Sequence, residues 1–122
     1  MKILVIDDNL DITDAIGIVL KEMQIEYKAV NDGRLGLQEI KSERFDLVIL
    51  DIAIPEFSGF DILKDLKQSG LIDSLNVVIS TASSVSDSEK QAMMSNGAKD
   101  LLPKPFRVKD LKALIQRFAP RA

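Results

Sequence analysis

Short apolar runs alternate with amphipathic stretches along the whole chain. Ile3 to Ile6 is an unbroken apolar run of strand length. Ile12, Ala15, Ile16, Val19, Leu20 and Met23 then follow at spacings of three and four, which predicts a helix. Tyr27 to Val30 predicts a second strand. Asn31-Asp32-Gly33 predicts a turn, and Gly36, Leu37 and Ile40 mark the inner face of a second helix. Leu47 to Leu50 predicts a third strand. Ser58-Gly59-Phe60-Asp61 has the spacing of a capping box, opening a helix with Phe60, Leu63 and Leu66 inward. Asn76 to Ser80 contains a fourth strand. Ser86-Asp87-Ser88-Glu89 is a second capping-box sequence, and its helix stops at Asn96-Gly97. Leu101 and Leu102 belong to a fifth strand. Val108, Leu111, Leu114, Ile115 and Phe118 stripe a last helix.

Five strand–helix units in succession imply parallel strands joined by right-handed crossovers. The strands are apolar without alternation, as expected when helices cover both faces of a sheet. No linker, repeat or low-complexity segment interrupts the pattern, and the tail after Phe118 is too short for another domain. The expectation is one α/β domain over residues 1–122.

Composition narrows the chemistry. Hydrophobic residues make up 46% and charged residues 29% of the 122 positions, an ordinary globular balance. A net charge of −3 disfavours direct binding to nucleic acid or to anionic lipid. No cysteine is present, which removes disulfides and thiolate metal sites. No histidine is present either, which removes histidine triads and histidine zinc sites. The opening apolar run ends at Asp7 and Asp8, too short for a signal-peptide core or a membrane span. These features predict a soluble, cytoplasmic protein.

In parallel sheets of this kind, sites form at the carboxyl ends of the strands. The first strand ends in Asp7-Asp8, the third in Asp51, the fourth in Thr81 and the fifth in Lys104-Pro105. Each alone is ordinary: an aspartate or threonine ending a strand commonly forms a turn or caps a helix. The combination is not, provided the first and third strands are neighbours, because three carboxylates then converge and repel. A hard divalent cation relieves that repulsion, and Mg²⁺ suits a site with few carboxylates and room for water and phosphate. A lysine opposite can neutralise phosphoryl oxygens, and a threonine hydroxyl can donate to one.

These residues lie in stretches that together resemble the receiver domains of two-component response regulators. The stretches are Ile3-Leu-Val-Ile-Asp-Asp-Asn9, Asp46-Leu-Val-Ile-Leu-Asp51, Pro55 with Ser58-Gly59, Thr81-Ala82, and Gly97-Ala98-Lys-Asp100 running on to Lys104-Pro105-Phe106. The resemblance implies a doubly wound (βα)5 flavodoxin-like fold with strand order 2-1-3-4-5. It implies that Asp51 accepts a phosphoryl group from a phosphohistidine on a histidine kinase or histidine phosphotransfer partner. Asp8 would ligate Mg²⁺ directly, Asp7 through water, with Asp51 and the backbone carbonyl of Ala53 completing the set. Lys104 would pair with the phosphoryl group, Thr81 would bind one of its oxygens as a switch, and the Lys104–Pro105 peptide would be cis. The outcome would be altered contact with a downstream protein through the fourth helix, fifth strand and last helix. Such a domain supports its own phosphorylation and dephosphorylation but is not a turnover enzyme.

The chain departs from the usual receiver pattern at four places. Ala53 is small, Ile54 and Phe57 flank Pro55 where methionines are frequent, and Ser83 follows Thr81 where bulkier groups often screen the phosphoryl group. Leu101 stands where a tyrosine or phenylalanine normally rotates as part of the switch. Two other readings are a protein-binding pseudo-receiver and a Mg²⁺-dependent aspartyl-phosphate phosphohydrolase. The first usually loses the acidic pair, acceptor or lysine. The second needs a further aspartate two residues after its nucleophile, where Asp51 is followed by Ala53 and Asp7 by Asn9.

Overall fold

The computed structural model describes residues 1–82 and 85–120. Five strands alternate with five helices: β1 Lys2–Ile6, α1 Leu10–Glu22, β2 Glu26–Val30, α2 Gly33–Ser42, β3 Leu47–Asp51, α3 Gly59–Gln68, β4 Val77–Thr81, α4 Asp87–Ser95, β5 Asp100–Pro103 and α5 Val108–Phe118. The strands form one sheet in the order β2-β1-β3-β4-β5, with every neighbouring pair parallel.

Local chemistry sets the helix ends. The Asn9 side chain accepts from the backbone N–H groups of Asp11 and Ile12, which starts α1 directly after the acidic pair. Asp32 does the same for α2 through Leu35, so the predicted turn is also a helix cap. Both predicted capping boxes are formed, Ser58 with Asp61 on α3 and Ser86 with Glu89 on α4. Gly97 follows α4 at φ +108°, a conformation that a side chain would strain.

The sheet separates two apolar layers. On one face, Leu4, Ile6, Val48, Leu50, Val77 and Ile79 pack against α2, α3 and Met93 of α4. On the other, Ile3, Val5, Leu47, Ile49, Val78 and Leu102 pack against α1 and α5. Strand alternation therefore assigns odd and even positions to opposite layers.

Three details differ from the sequence pattern. On α3, Ile62 is fully buried beside Leu63 and Leu66, whereas Phe60 is only partly covered. Packed on the sheet, α3 buries a stripe wider than the predicted one. On α1, Ala15 is exposed because it borders a groove, and on α5, Val108 is 54% exposed in the first turn. A short 3-10 turn at Ile72–Ser74, absent from the sequence reading, places Ile72 in the core beneath Gly97.

Candidate acidic site at the carboxyl edge of the sheet

Because all five strands run the same way, their last residues meet at one edge. Asp7 follows β1, and Asp51 ends the neighbouring β3. One carboxylate oxygen from each of Asp7, Asp8 and Asp51 lies within 4.8 Å of the others. Asp7 and Asp51 are buried, while Asp8 faces solvent. This donor set is three hard oxygens with one open side, which fits a small divalent cation.

The buried members are held by short polar contacts. Asp7 Oδ1 accepts from Asn9 N–H at 2.9 Å, and its backbone N–H donates to Val30 O at 3.1 Å. The Asn31 side-chain amide donates to Asp7 O at 2.8 Å and to Thr13 Oγ1 at 3.1 Å. Asp51 Oδ1 accepts from Ala53 N–H at 3.2 Å. Behind it, Gly59 permits a close approach. A Cβ there would come 2.6 Å from Asp51 O and 2.8 Å from Ile52 Cα.

Lys104 spans the cluster. Its Nζ lies 2.8 Å from Asp7 Oδ2 and 3.5 Å from Asp51 Oδ1. Its backbone N–H donates to Thr81 O at 2.6 Å, and the Lys104–Pro105 peptide is cis, as the motif implies. Burial pushes the Asp51 carboxyl above its usual range. The Ala53 N–H and Lys104 oppose this, and the nearby Asp7 and Asp8 add to it. The carboxylate is thus short of compensating charge. An open apolar groove of about 450 Å³ adjoins the cluster, bordered by Ile12, Ala15, Ala82, Lys104, Pro105 and Phe106.

The residues at the end of β4 divide between the two faces. Ser80 is the register partner of Asp51 and alternates with Val78 onto the α1/α5 face. Thr81 alternates onto the other face, where Leu101 packs next to Ile79. Thr81 and Ser80 are both buried, and among the described residues neither hydroxyl has a hydrogen-bond partner. Of the residues singled out in the sequence, Asp7, Asp8, Asp51 and Lys104 are in one cluster. The Ala53 backbone touches that cluster, Thr81 ends β4 where its carbonyl accepts from Lys104 N–H, and Leu101 lies deeper in the sheet opposite Ile79. Ser83 lies outside the described residues. The sequence reading missed Asn31, Thr13 and Ser80. Asn31 had a signal as a turn residue, whereas Ser80, next to Thr81 at the end of an apolar strand, had none.

The family model of the response regulator receiver domain matches residues 3–116. The chain belongs to this family. This receiver domain is 35% identical over 122 residues to the transcriptional regulatory protein CiaR of Streptococcus pneumoniae, a match covering 100% of this chain and 53% of that protein. It is 33% identical over 123 residues to the response regulator protein PmrA of Pseudomonas aeruginosa, covering 99% and 53% respectively. The chain thus spans about half the length of the curated relatives it matches. Among solved structures, the chemotaxis protein CheY4 of Vibrio cholerae superposes with a TM-score of 0.86 at 27% identity, covering 97% of this chain and 98% of that one. Receiver domains are signalling switches of two-component systems rather than turnover enzymes. Among the described residues, no helix is long and apolar enough to cross a membrane.

Proposed function

We propose that Asp51 is the phosphoacceptor of this receiver domain and that its donor is a phosphohistidine on a histidine kinase or phosphotransfer partner. The observation that carries this reading is the convergence of Asp7, Asp8 and Asp51 around one point, with Lys104 reaching both Asp7 and Asp51. Three carboxylates and one ammonium leave net negative charge at a buried edge, which an ordinary structural ion pair does not need.

In the transfer, a carboxylate oxygen of Asp51 attacks phosphorus. The bond from phosphorus to the imidazole nitrogen breaks, and its electron pair stays on that nitrogen. Asp7, Asp8, Asp51 and the Ala53 carbonyl would hold Mg²⁺, which when bound offsets charge on the phosphoryl oxygens. The Ala53 N–H fixes the orientation of Asp51. Lys104 is already within reach of the acceptor and pairs with the incoming group. The apolar groove beside Lys104 offers the partner a surface next to the acceptor.

Thr81 carries the signal. Its hydroxyl, unpartnered among the described residues, gains an acceptor when a phosphoryl oxygen arrives, and by strand alternation it shares a sheet face with Leu101. The downstream contact is made through α4, β5 and α5. Intact-mass measurement after treatment with acetyl phosphate and Mg²⁺ tests the assignment. Wild type gains one phosphoryl mass, and Asp51→Asn gains none while keeping its fold. Full labelling of Asp51→Asn would sink the proposal.

A further inference from the structure

We propose that Ser80 is a positioning residue for Asp51, its hydroxyl orienting the carboxylate that attacks phosphorus. The inference rests on Asp51 being the acceptor. Ser80 is 2% exposed, and its Oγ has no hydrogen-bond partner among the described residues. A buried hydroxyl left unpaired is unfavourable, so its presence needs a reason. Packing does not supply one. Apart from Asp51, its neighbours on that face are aliphatic, with Val78 two residues before it and Leu102 its partner on β5.

The register does supply one. Ser80 and Asp51 are paired across parallel strands, which sets their backbones about 4.8 Å apart and points both side chains to the same face. The Ala53 N–H and the Lys104 ammonium are both directed to Asp51 Oδ1. Apart from these and the neighbouring Asp8 carboxyl, no side chain among the described residues donates to the Asp51 carboxylate. Rotation about the single side-chain torsion of Ser80 is the movement by which its Oγ–H would reach Asp51 Oδ2. Thr81, by alternation, faces the other layer and cannot serve the resting carboxylate in the same way. The two adjacent hydroxyls thus divide the work: Ser80 acts on the nucleophile before transfer, and Thr81 acts on the phosphoryl group after it.

Four variants isolate the hydroxyl. Ser80→Thr and Ser80→Val differ only in that group at equal size, and Ser80→Ala and Ser80→Cys vary it at small size. Labelling is followed with phosphoramidate as donor at saturating Mg²⁺, and the maximal rate is separated from the donor concentration at half-maximal rate. Ser80→Val and Ser80→Ala should label about tenfold more slowly at saturation, the scale of a hydrogen bond to a charged group. The half-maximal concentration should stay unchanged, and Ser80→Thr should restore the rate. A packing role would instead shift melting temperature and leave the rate of folded protein alone. If Ser80→Val does not fold, the comparison of Ser80→Ala with Ser80→Thr carries the test. Equal maximal rates across the Ser80 variants, with Asp51→Asn unlabelled, would overturn the Ser80 proposal alone. Labelling that survives in Asp51→Asn would overturn the acceptor assignment and this proposal with it.

Discussion

Asp51, the proposed acceptor, shows how one buried side chain can be costly to the resting fold. Its folded-state pKa lies above the ordinary 3.8, chiefly through burial. Between the unfolded and folded values, the folded state holds a proton that the unfolded state has lost. Stability from this source is full below the unfolded pKa and declines as pH rises through the folded one. In metal-free buffer at neutral pH the ionised carboxylate therefore works against folding, and Asp51→Asn should melt higher than wild type. The gap should close as the pH is lowered toward 3.8. Paired thermal melts in EDTA across that window check the sign, and a variant that melts lower at neutral pH contradicts it. At this scale the sequence was informative about charged residues and poor on neutral ones. Asp7, Asp51 and Lys104 stand out as polar residues at the ends of apolar runs. Ser80 does not, because a serine fits a strand, a turn or a core equally well until its register partner is known.

Secondary elements differ in how firmly they are held. Helix α3 buries Ile62, Leu63 and Leu66 completely, and α5 buries Leu111, Leu114 and Ile115. Helix α4 has nine residues and one buried side chain, Met93. Its ends depend on the Ser86–Glu89 box and on the turn at Gly97. Few buried contacts mean a low free energy of local opening. Amide hydrogens of α4 should therefore exchange before those of α3 or α5. Ser86→Ala should remove about 1 kcal/mol and speed exchange within α4 more than elsewhere. Uniform acceleration across all helices would contradict this. The existence and start of α4 were legible from Ser86 to Glu89, and its stop from Asn96-Gly97. Its weak attachment was not, because that depends on which neighbours cover it. The same reason explains Ile62 on α3. Spacing indicates that a helix has an inner face, but the width of that face depends on what lies against it.

For the whole molecule, the distribution of charge matters more than its sum. Lys2 pairs with Glu26 and Glu43, and Lys28 with Glu39 and Glu43, tying β1 and β2 to α2. These exposed pairs contribute little individually and weaken with salt. At the carboxyl edge, among the described residues, the three acids outnumber the single cation Lys104. Mg²⁺ should bind the folded state selectively, and free Mg²⁺ at ten times its dissociation constant would add roughly 1.4 kcal/mol. Melting temperature should rise with Mg²⁺, and the rise should largely vanish in Asp8→Ala. Sodium at matched ionic strength serves as the control for screening, and an equal rise with sodium would contradict a specific site. The architecture was legible because the strand runs lack alternation, which requires cover on both faces. Strand order followed from the family resemblance, since periodicity alone cannot say which strands are neighbours.

The central sheet also acts as a partition. Asp51 and Ser80 belong to the layer closed by α1 and α5, whereas Thr81 and Leu101 belong to the layer closed by α2, α3 and α4. The proposed acceptor and the proposed switch residues therefore lie on opposite faces that meet at the carboxyl rim. On the proposed reading, substitutions under α1 reach the acceptor side alone, whereas α5 and Thr81 each join the chemistry to the output face. A lineage that inherits this layout can acquire a new listener without having to relearn the chemistry.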